Sequence, residues 1–387
     1  MNKGLFALAI GTFALGIAEF SMMGVLSDVA EGLDISISQA GHTISAYALG
    51  VAVGAPGLIL LRKWPLRKVL ELLALLIVAG NALAAIAPGF HSLLVARFIS
   101  GLPHGAYFGT GAIVAQQLVK PGKGASAVAT MVGGMTVANL AGVPFSTFVC
   151  NMLSWRWPFA IVALLGLVTW IVLRREIPRL APLPYSNFKG QFRFLRNSAP
   201  WLILLGTFFG QGSIYCWFSY VSPIMLREAH VTPSAMTWIM MLAGAGMVVG
   251  NLAAGKLADR YRPALVTALT ASSALLILPA LYFAAGSAWL SLPLIFMATA
   301  VLFGIGGPLQ FLIVRYAKGG EMLGGACIQI AFNVSNAVAS ILGGAVIARG
   351  FGIASPALAG IPFAMIAALL LFRLDGITHK KISNFAE

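Results

Sequence analysis

The sequence predicts an all-α polytopic membrane protein: twelve transmembrane helices in two pseudo-symmetric six-helix bundles. Three observations predict it. Hydrophobic residues make up 59% of the 387 and charged residues 9%, with a mean hydropathy of +0.91, whereas a soluble domain carries about 25% charged residues. Polar breaks cut the chain into apolar runs of about 20 residues or more, the length that crosses a hydrocarbon core. Small-residue patterns then recur at matching places in the two halves, as a duplicated chain requires.

The spans follow in order. Span 1 (5–27) is the run Leu5 to Leu26, and span 2 (39–61) stops at Arg62-Lys63. Span 3 (69–87) ends before Pro88-Gly89, and span 4 (93–118) before Lys120. Spans 5 (125–149) and 6 (157–173) flank Ser154-Trp-Arg-Trp. The second set is 199–225, 234–254, 264–285, 290–314, 322–347 and 355–373. The polar, Pro- and Arg-rich stretch 174–198 separates the sets. The predicted organisation is therefore a bundle over 1–173, a linker over 174–198, a second bundle over 199–373 and a tail over 374–387. Span 2 carries Gly50-x-x-x-Gly54 and span 8 carries Gly246-x-x-x-Gly250. Such pairs let membrane helices pack closely anywhere, but their recurrence before two basic loops favours duplication, which suits alternating access around a midplane site.

Charge sets the orientation. With the N-terminus inside, all 25 Lys and Arg fall in cytoplasmic segments except Arg97, within a helix, and Arg156, Arg227 and Arg349. By the positive-inside rule both termini are cytoplasmic. The same rule accounts for the net charge of +14 without nucleic acid as a partner. The odd set Cys150, Cys216 and Cys327 has no metal-ligand spacing and reads as packing residues. No segment matches the G-x-x-x-x-G-K-[ST] phosphate loop, and no nucleophile has a credible base. An enzyme, a cofactor and a metal are not expected. Trp155, Trp157 and Trp201 fall near span ends and are expected to anchor at the interface.

Glu19 is the feature that a lipid-facing helix would not keep. A carboxylate deep in a span costs roughly 2.5–3.5 kcal/mol on insertion scales. At about 1.5 Å per residue, Glu19 lies roughly 12 Å from the outer end of span 1, and Arg97 roughly 6 Å from the same face in span 4. The two can meet if those spans are neighbours. Burial then favours the protonated acid and the guanidinium favours the carboxylate. Glu19 is thus either a proton carrier or half of a permanent ion pair, and Arg97 either orients it or meets substrate. His104 shares the face of Arg97 and is either a proton relay or a neutral, hydrogen-bonded core histidine. Tyr47, Tyr107, Asn139, Gln211, Tyr215, Gln310, Asn333 and Asn336 are candidates to line a substrate path, with interhelical bridging as the alternative for each.

Over nearly its whole length the chain resembles the major facilitator superfamily, within it the twelve-span drug/proton antiporter branch, and most of all bacterial arabinose-inducible, sugar-efflux-type permeases. The likeness is carried by Gly11-Thr-Phe-Ala-Leu-Gly-Ile-Ala-Glu-Phe, Ala40-Gly-His-Thr-Ile-Ser-Ala-Tyr, Arg97-Phe-Ile-Ser-Gly-Leu-Pro-His-Gly-Ala, Gly133-Gly-Met-Thr-Val-Ala-Asn-Leu-Ala-Gly-Val-Pro and Ser154-Trp-Arg-Trp. The span-4 motif maps onto Arg97, Gly101 and Gly105, and the Arg in the family is associated with proton coupling. The span-5 antiporter motif is matched in part, by Gly134, Gly142 and Pro144. The loop motif after span 2 has lost its Asp. Its second copy, Gly255-Lys-Leu-Ala-Asp-Arg, implies a charged cytoplasmic latch at Asp259 and Arg260. The resemblance also implies that spans 1, 4, 7 and 10 line a central cavity.

The expected function is proton-coupled efflux of small organic molecules, such as sugars or drugs, by a monomer in the lipid bilayer of the bacterial inner membrane. The expected partners are that small-molecule substrate and protons. The alternatives are proton-coupled uptake or facilitated exchange of a sugar or nucleoside, and a non-transporting receptor or scaffold. The last is disfavoured because no loop is long enough for a folded soluble domain.

Overall fold

The computed structural model describes residues 3–61, 64–120, 124–178, 180, 192–317 and 321–383. About half of the predicted linker, and with it Arg179 and Lys189, lies outside the described residues, as do Arg62, Lys63, Lys123, Lys318 and the end of the tail. The first half comprises α1 (Lys3–Gly24), α2 (Leu26–Gly32), α3 (Ile37–Leu61), α4 (Leu66–Ala85), α5 (Phe90–Gln117), α6 (Gly124–Val137), a π turn (Ala138–Gly142), α7 (Val143–Met152) and α8 (Trp157–Glu176). The second half has a 3-10 turn (Phe192–Arg196), then α9 (Ser198–Phe218), α10 (Val221–Arg227), α11 (Pro233–Arg260) and α12 (Pro263–Ala284). It closes with α13 (Ala288–Tyr316), α14 (Glu321–Ala348), α15 (Pro356–Ala359) and α16 (Ile361–Ser383). The described residues contain no strand.

Among the described residues, ten helical stretches are long and apolar enough to cross a membrane. α3 and α5 complete the twelve; they are 25 and 28 residues long but are diluted by His42, Thr43, Ser45, Arg97, Ser100 and His104. Two compact units contain them: Met1–Tyr185 with Thr232–Gly244, and Ser186–Val231 with Ala245–Glu387.

Span boundaries follow the polar breaks, but three spans are interrupted. Span 1 breaks at Val25 (φ −112°, ψ 15°) and restarts as α2, and span 7 breaks at Tyr220 (φ −115°, ψ 17°) and restarts as α10. Pro223, which lacks an N–H, suits the restart of α10; no residue of α2 gives a comparable local cause. Span 5 is also not one α-helix, because the π turn lies just ahead of Pro144, which cannot donate to a carbonyl one turn back.

Inside each half, the contacts repeat. A Cβ on Gly50 or Gly54 of α3 would collide with the carbonyls of Phe98 or Leu102 on α5; one on Gly246 or Gly250 of α11 would collide with those of Phe296 or Ala300 on α13. Both GxxxG pairs therefore bring helix backbones into contact, which side chains would prevent. Ser21 Oγ lies 2.6 Å from Ser146 Oγ, joining α1 to α7, and Ser219 Oγ lies 2.7 Å from Ser340 Oγ, tying the end of α9 to α14. Thr12 Oγ1 donates to the Met131 carbonyl at 2.5 Å, and Ser335 Oγ to the Phe208 carbonyl at 2.5 Å. These bonds hold spans 1 to 5 and 7 to 11, where lipid offers polar groups no partner.

The aromatic anchors divide. Trp157 and Trp201 are half exposed, as an interfacial position requires, whereas Trp155 is buried. Its ring fills the space that Gly32 leaves open, under the guanidinium of Arg156 at 4.1 Å. For Trp155 the interfacial expectation is corrected: it is a packing residue.

Candidate functional site

The buried charge of the first half gathers where α1, α3 and α5 meet. α1 is apolar nearly all round, so it buries most of its surface within the bundle, and Glu19 goes inside with it, 1% exposed. From α5, His104 brings Nε2 to 3.8 Å from a Glu19 carboxylate oxygen. The other ring nitrogen, Nδ1, shares a hydrogen bond of 2.9 Å with the hydroxyl of Tyr47 on α3. Phe108 stacks on the imidazole at 5.2 Å, which fixes the ring plane. Among the described residues neither carboxylate oxygen of Glu19 has a hydrogen-bond partner.

Arg97, expected to pair with Glu19, makes a different contact. Its Nη1 donates to the carbonyl of Ala18 at 2.8 Å, one residue before Glu19, and its Nε to the carbonyl of Thr43 at 3.4 Å. The guanidinium lies over the Tyr47 ring at 4.4 Å, with Phe159 at 5.6 Å. Among the described residues no Glu19–Arg97 ion pair falls within 4.0 Å. The physical reason is competition: two carbonyls and an aromatic face hold Nε, Nη1 and the plane of the guanidinium, while Nη2 has no hydrogen-bond partner among the described residues. Arg97 thus bridges α1, α3 and α5 at the level of Glu19. Tyr47, a candidate for substrate contact, is the shared support of Arg97 and His104.

The other candidates are scattered. Tyr107 is buried with its hydroxyl donating to the Leu8 carbonyl at 3.4 Å, in the notch left by Gly11. Asn139 sits in the π turn, 3% exposed, with its side-chain oxygen unpartnered. In the second half, Gln211 Nε2 donates to the Leu302 carbonyl at 3.1 Å and Asn333 Nδ2 to the Gln329 carbonyl at 3.0 Å. Both leave a buried carbonyl oxygen without a partner. Asn336 accepts from Ser340 at 3.3 Å. Tyr215 meets the Phe332 ring edge-on at 5.4 Å, and Gln310 lies beside Gly325.

The motif glycines are packing residues. A side chain at Gly101 would strike the Tyr47 carbonyl, and one at Gly105 the Ala55 methyl. Gly134 lies on the Ala9 carbonyl and Gly142 on Ile17, so the partial antiporter motif, with Pro144 behind the π turn, presses span 5 onto span 1 beside Glu19. Asp259 and Arg260 end α11 exposed, and neither joins an ion pair among those described. The pair at that end is Arg262 to Asp375 at 3.2 Å. It ties the start of α12 to α16, as Arg67 Nη1 ties the start of α4 to the carbonyl of Ile177 at 3.2 Å after α8. A short basic loop gives no sequence signal of which cation reaches back to the sixth helix of its half.

Twelve apolar helices in duplicated sets, with a buried acid, a phenol, a guanidinium and an imidazole on the first, second and fourth spans, define a polytopic membrane transporter built by repetition. The chain belongs to the Major Facilitator Superfamily, whose family profile matches residues 8–324 and 203–387. It is 44% identical over 376 residues to the putative transporter AraJ of Escherichia coli (strain K12), covering 96% of this chain and 95% of that one. It is 36% identical to the inner membrane transport protein YdhP of the same strain, covering 96% of each. Its identity to the chloramphenicol resistance protein of Streptomyces lividans is 28%, with 96% of each covered. Among solved structures, a D-xylose-proton symporter shares the fold, with a TM-score of 0.73 at 13% identity, covering 96% of this chain and 97% of that one.

Proposed function

We propose that this transporter exports small organic molecules across the bacterial inner membrane in exchange for protons, with both termini cytoplasmic, and that it works as a monomer. The observation that carries the reading is Glu19, a carboxyl group fully enclosed by the first half, with neither oxygen hydrogen-bonded and an imidazole at 3.8 Å. A purely structural carboxylate in this setting would be held by donors on both oxygens. A carboxyl group left without them can take up a proton from one side and release it to the other as access alternates.

Arg97 and Tyr47 hold that group's surroundings fixed, and His104 is the group through which its proton can pass. The neutral amides of Asn139, Gln211, Gln310, Asn333 and Asn336, with the rings and hydroxyls of Tyr107 and Tyr215, are the proposed substrate contacts. Export is favoured over uptake by the partial antiporter motif at Gly134, Gly142 and Pro144, and by the relative that bears a chloramphenicol resistance name. A stabilisation screen on the purified protein, setting neutral sugars and chloramphenicol beside lipophilic cations, identifies the ligand. Its flux in everted vesicles against whole cells then gives direction. Accumulation in everted vesicles that collapses with a protonophore is the expected result; accumulation in whole cells overturns export.

A further inference from the structure

The repeated contacts of the two halves fix which residues are equivalent. Counting from the Phe98 and Leu102 carbonyls on α5, and from those of Phe296 and Ala300 on α13, Arg97 matches Ile295 and His104 matches Leu302. Counting back from Gly50 and Gly246, Tyr47 matches Ala243. The breaks at Val25 and Tyr220 have nearly the same backbone angles, and counting back from them Glu19 matches Ile214. Ile214, Ala243, Ile295 and Leu302 are all buried. Where the first half has a carboxyl, a phenol, a guanidinium and an imidazole, the second half has four aliphatic side chains.

We propose that the chain carries one exchangeable membrane proton, at Glu19, and that the second half, although a copy of the first, carries none. Each transport cycle then moves a single proton through the first half alone, an inference that rests on the proton-coupled reading above. The step balances simply: a proton from water on one side bonds to a Glu19 oxygen, and the same O–H bond breaks to return it to water on the other.

The inventory of acids supports this count. Among the described residues Glu19 is the one acid buried away from a span end. Asp375 is buried but paired with Arg262, just past the predicted end of span 12 at 373, and Asp28 and Glu31 belong to the short α2 beyond the break. The ionisable groups facing Glu19 are His104 and Arg97 from α5 and Tyr47 from α3. α6 and the π turn have none and α7 has only Cys150, while those of α4 (Arg67, Lys68 and Glu71) lie in its first two turns and those of α8 (Arg174, Arg175 and Glu176) in its last. For an uncharged substrate, at zero membrane potential, one proton per cycle sustains at most about a tenfold gradient per pH unit.

Difference infrared spectroscopy of the full-length protein in lipid vesicles, stepped between about pH 5 and about pH 9, tests the count directly. Exposed carboxylates, with ordinary values near 4, stay ionised over most of that interval and give sloping, solvent-broadened changes. The expected result is a single sharp carboxyl band of one group per chain, lost in Glu19→Gln and moved in frequency in Glu19→Asp. A second sharp band that survives Glu19→Gln overturns the proposal, as does the absence of any such band in the native protein. If Glu19→Gln does not fold, the shift in Glu19→Asp decides: a band that stays in place belongs to another acid. The spectrum needs no substrate, so its outcome is independent of the flux experiment that tests proton-coupled export.

Discussion

His104 stands between Glu19 and Tyr47, its Nε2 3.8 Å from the carboxyl group and its Nδ1 2.9 Å from the phenol oxygen. The hydroxyl also lies 3.5 Å from the Leu15 carbonyl. Donating to Nδ1, it leaves the imidazole proton on Nε2 facing Glu19; donating to Leu15, it accepts from Nδ1–H instead. The tautomer of a buried histidine is thus coupled to a residue two spans away in sequence.

Tyr47→Phe removes that hydroxyl and leaves the ring under Arg97. A loss of about 1 kcal/mol in stability is expected, the net worth of a buried hydrogen bond. The pH profile of transport should also shift, because His104 becomes free to change tautomer. A pH profile identical to that of the native protein would show that His104 takes no part in proton movement.

Arg97→Lys tests the bridging role. An ammonium cannot reach the Ala18 and Thr43 carbonyls together and lacks the flat face that lies on Tyr47. Thermal unfolding in detergent should fall by the equivalent of about 2 kcal/mol, the range of a hydrogen bond to a charged group. A lysine variant as stable as the native protein would mean that charge alone, without the fork, is what the site uses.

The close backbone contacts predict equal damage in both halves. Gly54→Val and Gly250→Val each drive a side chain into a carbonyl of the facing helix and should lose most folded protein in a monodispersity assay. Gly255→Ala, whose added carbon meets nothing within 4 Å, serves as the control and should behave as native. Tolerance of valine at either position would break the equivalence of the halves.

At the far end of the second half, Arg262→Ala and Asp375→Asn should each lower stability by about 1 kcal/mol, and the double variant by little more than either, since Arg262 is half exposed and the two losses remove one shared contact. Asp259→Asn, at an exposed helix end, should leave stability unchanged. Additive losses at Arg262 and Asp375 would show that the ion pair contributes nothing.

Much of this is legible in the chain. Apolar run lengths place the twelve spans, and the oddity of a carboxyl group in span 1 is enough by itself to single out Glu19. The rotation of each helix is not legible. A helix that is apolar all round carries no stripe to say which side faces which neighbour, so spacing alone brings Arg97 near Glu19 in depth without revealing that its guanidinium takes the Ala18 carbonyl instead. The breaks at Val25 and Tyr220 are hidden for a related reason, because neither residue breaks a helix as Pro or Gly does. The Arg262–Asp375 pair joins residues more than a hundred positions apart, between which no local pattern runs.

The measurement that bears most directly on the central claim is flux by Glu19→Gln in proteoliposomes, using a compound that stabilises the purified protein. The amide mimics the protonated acid and has no proton to release. Counterflow exchange, which requires no net proton movement, should persist, while accumulation driven by an imposed pH gradient should vanish. Uphill accumulation by Glu19→Gln at the native rate and pH dependence would contradict the account, because the proton would then be travelling through some other group.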